Sequence, residues 1–137
     1  MTHSWNKQLS IAMVTVLMFS TQVWAHHGTN ISYDHVHPIT VKGVVTEFRF
    51  ANPHAQIYFD VTDEKGNVVH WSGELTNPSN LMHAGWTKKR SERELPPGTP
   101  LTITMAPAKA GTKAGVVLKI INQKGEQVLL GRAQQVE

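Results

Sequence analysis

Eight histidines and no cysteine set the chemistry open to this chain. His26 and His27 stand side by side directly after Ala25. If His26 becomes a free N-terminus, its α-amino nitrogen and its imidazole Nδ1 form a bidentate chelate that no internal histidine can make. Such nitrogens suit Cu(II), which tops the divalent affinity order. A second imidazole placed opposite completes a three-nitrogen brace. His54, which follows the Asn52-Pro53 turn, is the first candidate, with His35 and His37 next. The plainer alternative is a histidine tail that collects metal adventitiously. His35 and His37 form a cluster of their own, because residues two apart in an extended chain point to one side. Asp34 is placed to orient a ring or lend an oxygen. The alternative there is a solvated loop. Copper is thus the candidate cofactor, and His26, His27, His35, His37 and His54 are its candidate ligands.

A second group lies on one strand face. His70, Ser72 and Glu74 alternate with apolar residues, and Tyr58 and Asp60 alternate in the same way on the preceding strand. Tyr58, His70 and Glu74 are the candidate ligand-binding residues, against the alternative of an ordinary wet sheet face. Ser72, His70 and Glu74 do not read as a catalytic triad. Residues two apart on one strand sit side by side, not in nucleophile–base–orienter geometry. Glu74 also precedes a helix start and can bond the amides of Asn77–Ser79. These readings lead to a non-catalytic binding module for a small molecule or a metal ion. The competing reading is a copper- or metal-binding protein built on His26. No enzyme is expected.

The N-terminus says where such a protein works. Lys7 charges a short n-region, Leu9 to Phe19 is apolar, and Val23-Trp24-Ala25 has the residues of a cleavage site. An apolar run this short falls below the roughly 20 residues that a membrane-crossing helix needs. Residues 1–25 are therefore expected to be a signal peptide and the product periplasmic or secreted, with no stable membrane anchor. Losing Lys7 takes the formal charge from +3 to +2, too mild a surplus to suggest nucleic acid. Without cysteine, disulfides and thiol catalysis are excluded, and the fold must stand on burial.

The elements that position these residues are mostly β. Residues 26–39 form a histidine-rich arm without periodicity, and residues 40–137 form the domain. The run from Thr40 to Phe50 is β-branched and aromatic, with Gly43 suited to a bulge or bend. Ala55–Thr62 alternates, Asp63–Asn67 turns, and Val68–Leu75 returns with Trp71 inward and His70 outward. Asn77 and Pro78 open the only helical candidate, which Gly85 ends. Lys88 to Glu94 reads as a basic, mixed-charge loop. Strands follow at Leu101–Ala106, Val116–Asn122 and Gln127–Leu130. Five to six strands with one short helix between strands three and four is the order of a small OB-like β-barrel. Trp86 can cover its bottom.

A set of short signatures in this order resembles an uncharacterised family of small exported bacterial proteins. They are Ala25-His26-His27, Val41-Lys42-Gly43-Val44-Val45, Asn52-Pro53-His54-Ala55, Trp71-Ser72-Gly73-Glu74, Gly85-Trp86-Thr87 and Pro107-Ala108-Lys109-Ala110-Gly111. The chain departs from that family after the paired histidines, where Gly28-Thr29-Asn30 replaces a serine and aromatic residues. It departs again at Met82-His83-Ala84, where basic residues are usual. The resemblance implies export and a β-rich fold, and it brings no reaction or ligand.

Overall fold

The computed structural model describes residues 32–130. The expected leader, its expected cut after Ala25, and His26 and His27 lie outside them. Among the described residues, six strands and two helices follow in order: β1 (Ile39–Arg49), β2 (Gln56–Thr62), β3 (Val68–Glu74), α1 (Pro78–His83), α2 (Lys88–Glu94), β4 (Pro100–Pro107), β5 (Ala114–Asn122) and β6 (Gln127–Leu130). The sheet order is β3-β2-β1-β4-β5-β6, and a parallel pairing of β3 with β5 closes five strands into a barrel. β6 extends the sheet along the far half of β5. This is the expected OB-like architecture, with the helical crossover between β3 and β4.

The barrel consists of two antiparallel meanders, β1-β2-β3 and β4-β5-β6, joined along two seams. One seam is the antiparallel β1–β4 ladder, from Ile39 opposite Met105 to Val44 opposite Pro100. The other is the short β3–β5 pairing of Ser72, Gly73 and Glu74 with Ala114, Gly115 and Val116. Alternation along each strand fills the interior with Val45, Ile57, Phe59, Ile103, Met105, Val117 and Ile120, all essentially inaccessible. At the second seam two glycines face each other, because the walls are too close for side chains. A Cβ on Gly73 would lie 2.6 Å from Val117 Cγ2, and one on Gly115 would lie 2.6 Å from the Ala106 carbonyl oxygen.

The hairpin β2–β3 has the expected register, with Phe59 opposite Trp71 and Asp60 opposite His70. Trp71 faces inward but is only half-buried. It stacks on Phe59 at 6.4 Å and carries Lys113 over its outer surface. Among the described residues the fully buried indole is Trp86, whose Nε1 donates to Ser91 Oγ at 2.7 Å. α1 starts as expected, with Asn77 accepting from the Asn80 amide. It ends with Gly85 N–H on Met82 and Trp86 N–H on Leu81, the left-handed Gly85 (φ 76°) making that ending unstrained.

Three expectations are corrected. Lys88–Glu94 is a helix, not a loop, so the crossover holds two helices instead of one. Thr87 caps it, Arg90 reaches Glu94 at 2.9 Å one turn on, and Ser91 anchors it to Trp86. Seven consecutive polar residues showed no apolar stripe, since the buried contact is made through a serine. Gly43 does not carry the β1 bulge. The register slips at Thr46, and Gly43 is needed where β1 passes 2.7 Å, measured to its virtual Cβ, from the Asp60 carbonyl. Glu74 does not bond the α1 amides, because Asn77 already caps that helix and the Glu74 side chain points to the arm and to His54.

Candidate functional site

Glu74 ends β3 on the outer face, opposite Gln56. The ladder continues beyond the two strands: Leu75 donates to the Ala55 carbonyl at 2.8 Å, and Ala55 donates to the Thr76 carbonyl at 3.1 Å. These bonds lock the segment just before β2 against the end of β3, which brings His54 beside Glu74. The peptide bond between Asn52 and Pro53 is cis. His54 Nδ1 lies 3.9 Å from Glu74 Oε1, too far for a hydrogen bond. That nitrogen is inaccessible to solvent and has no hydrogen-bond partner among the described residues.

The third member comes from the arm. Tyr33 bridges to Ala108 in the β4–β5 connection, and neighbouring bonds join Asp34 N–H to Pro107 and Lys109 N–H to Ser32. So held, the Tyr33 hydroxyl donates to Glu74 Oε2 across a long 3.5 Å. Partial burial first, then the Glu74 charge and this hydrogen bond, raise the Tyr33 pKa above its ordinary value. The phenol is therefore a neutral donor. Tyr33, His54 and Glu74 thus meet where the β1–β2 connection, the end of β3 and the β4–β5 connection converge.

The three residues expected to bind a ligand share the outer face but do not meet. Tyr58 stands opposite Ser72, donates to Gln56, accepts from Arg49 at 3.0 Å, and has the Arg49 guanidinium 4.9 Å above its ring. His70 is held through Nδ1 by its cross-strand partner Asp60 at 2.6 Å, and its side chain is 83% exposed. Glu74 belongs instead with Tyr33 and His54. An open groove of about 610 Å³ lies beyond His70, lined in part by Lys42, Val44, Asp60, Thr62, Pro100 and Thr102. It reaches none of Tyr33, His54 or Glu74.

The arm histidines are arranged differently from the expectation. Asp34 Oδ1 accepts the amides of Val36 (3.0 Å) and His37 (3.1 Å), which curls the segment into a turn. The same-side argument for His35 and His37 assumed an extended chain and does not apply. Asp34 does orient a ring, as its other oxygen lies 3.0 Å from His37 Nδ1. Hydrogen bonding from that ring, reinforced by the two amides, lowers the Asp34 pKa. Among the described residues no three of His, Cys, Asp and Glu are grouped to hold a metal ion. His54 brings one carboxylate, and His26 and His27 lie outside the description. Tyr33 was missed by sequence reasoning: nothing in its neighbours signals that it docks on Ala108.

No curated protein matches the chain. Residues 13–119 match the model of a family described as a family of unknown function, DUF6152, a span that includes Tyr33, His54, Glu74 and both seams of the barrel. The chain belongs to that family.

Proposed function

We infer that this protein is an exported, non-catalytic binding module whose ligand sits at the corner formed by Tyr33, His54 and Glu74. One observation carries the reading: the His54 Nδ1 is buried, lacks a hydrogen-bond partner among the described residues, and faces a carboxylate across 3.9 Å. A buried polar atom left unsatisfied costs about 1–3 kcal/mol. A ligand that supplies the missing partner recovers that cost and is favoured by it. The surroundings support the same reading. The corner lies beside the outer face of β2 and β3 and between two interstrand connections, where OB-like barrels take their ligands. An imidazole, a carboxylate and a neutral phenol can hold a polar group or an ion in place. Export rests on the n-region, the apolar run and the Val23-Trp24-Ala25 pattern.

The test is an amide-resolved NMR titration of labelled protein with a panel of small polar fragments and divalent cations. Ligand-induced shifts should centre on Tyr33, His54 and Glu74 and vanish in Glu74→Gln. Shifts centred on Lys42 and Thr102 would move the site to the groove and end this assignment.

A further inference from the structure

The open groove beyond His70 carries opposite charges that do not pair. Lys42 stands opposite Thr102 in the β1–β4 ladder, Val44 stands opposite Asp60 in the β1–β2 ladder, and all four line the groove. Lys42 and Asp60 are therefore diagonal neighbours on one face, about 7–8 Å apart at the backbone. A lysine side chain can cover that distance, yet the Lys42 ammonium has no ionic or hydrogen-bonded partner among the described residues. Asp60 gives Oδ1 to His70 Nδ1 instead, at 2.6 Å, and its other oxygen accepts no hydrogen bond among them. Beside the two charges lies Val44, 42% exposed, with Pro100 across from it on β4. We propose that this groove binds a short zwitterionic peptide with apolar side chains. Its carboxylate would lie on Lys42 and Thr102, its ammonium on Asp60 and Thr62, and its side chains over Val44 and Pro100. The proposal goes beyond the function assigned to the corner, which the groove does not reach.

Three observations carry the assignment. Charge complementarity comes first: a groove with a cation and an anion held apart matches a ligand whose own charges are held apart, and each contact is a charge-assisted hydrogen bond. The hydroxyls support the same poles. Thr40 and Thr104, one step along the β1–β4 ladder, bond to each other at 3.0 Å, whereas Thr62 and Thr102 make no side-chain hydrogen bond among the described residues. The second observation is length. Each residue of extended chain advances about 3.3–3.6 Å, so two residues separate their terminal charges by roughly 7 Å, the spacing of Lys42 and Asp60, and a single amino acid falls short. The third is size. A groove of about 610 Å³ lies within the range of about 300–1,000 Å³ in which small ligands are held.

NMR titration of the labelled protein with the dipeptide leucyl-leucine tests this, alongside the same dipeptide acetylated at its N-terminus or amidated at its C-terminus. Saturable shifts should centre on Lys42, Val44, Asp60 and Thr102. Each cap removes one charge and should weaken binding about fivefold, the factor for a partly exposed ion pair. These comparisons use the wild-type protein and need no variant to fold. Lys42→Met should weaken the free dipeptide by the same factor and leave the amidated one unchanged. Asp60→Asn should weaken the free dipeptide and leave the acetylated one unchanged, a pairing of losses that general destabilisation would not produce. An acetylated dipeptide that binds as tightly as the free one would overturn the proposal, leaving a plain anion site. The absence of saturable shifts in the groove would overturn it as well. The corner at Tyr33, His54 and Glu74 is tested by its own fragments and cations, so either site can fail while the other stands.

Discussion

Gly115→Ala tests whether the β3–β5 seam is as close as described. The new methyl carbon would lie 2.6 Å from the Ala106 carbonyl oxygen and 2.8 Å from Met105 Sδ. The thioether can swing aside, but the carbonyl belongs to the β4–β5 ladder, where Ala106 pairs with Val116. A carbon needs about 3.3 Å from a carbonyl oxygen, so the two strands must part by roughly 0.7 Å. Overpacking of this kind costs about 1–3 kcal/mol, and the lower backbone entropy of unfolded alanine offsets about 0.4–1 kcal/mol. The net expectation is a loss of about 1.3 kcal/mol, or a melting temperature lower by about 5–10 °C for a domain of this size. Urea unfolding followed by tryptophan fluorescence reads it directly. Gly73→Ala should also destabilise, since its methyl meets Val117 and Ile57. The double substitution should lose less than the sum, because a seam already parted need not part again. A Gly115→Ala protein as stable as the parent would refute the account of barrel closure.

Other outcomes follow from single contacts. Trp86→Ala should lose about 3–5 kcal/mol of stability, and Trp71→Ala clearly less, because Trp71 is only half-buried; the opposite order in urea denaturation would contradict the packing. Ultraviolet titration should find Tyr33 ionising above the usual tyrosine value of about 10, and Glu74→Gln should bring it down. The sign of the linkage is set by that raised value: the stability contributed by the neutral phenol is complete below the ordinary tyrosine pKa and is lost as pH rises through the raised one. Intact mass of exported protein should show His26 as the first residue, and retention of Met1 would end the export reading. One extra residue ahead of His26 should weaken Cu(II) binding more than His83→Ala does, because it removes the α-amino chelate.

Much of the fold was legible because its signals are local. Strict alternation in Ala55–Thr62 and Val68–Leu75 implied both the hairpin and its register, and a one-residue slip would have buried His70 and Glu74. Asn77, Pro78 and Gly85 marked α1 by their chemistry at helix ends. The second helix was hidden because its apolar contact is indirect, a Ser91 hydroxyl on the Trp86 indole. Within the site, His54 was legible from the Asn-Pro turn before it. Its pairing with Glu74 was not, since that depends on the ladder running past the strand ends to Leu75 and Thr76. Tyr33 was illegible for the same kind of reason: its position comes from Ala108, far along the chain. The shared outer face of Tyr58, His70 and Glu74 was read correctly, but charged and polar neighbours divide that face into separate groups.

The two seams also dictate how the molecule assembles in time. Within each meander the partners are close in sequence, as with Thr62 and Val68 or Ile121 and Gln127. Such hairpins close in about 1–10 μs. Across the seams the partners are distant, as with Ile39 and Met105 or Ser72 and Ala114. Pairings of that kind must meet the entropy of closing a long loop before any contact rewards it, and they place folding on the millisecond-to-second scale. Pairing across the two seams is then the step expected to be slow. His54 and Glu74 both belong to the first meander, whereas Tyr33 is fastened to the second through Ala108. The contact between Tyr33 and Glu74 therefore forms only when the halves dock and breaks when they part. A ligand that requires all three residues binds only the closed barrel and slows its opening, so occupancy of this corner should be readable as a slower unfolding rate.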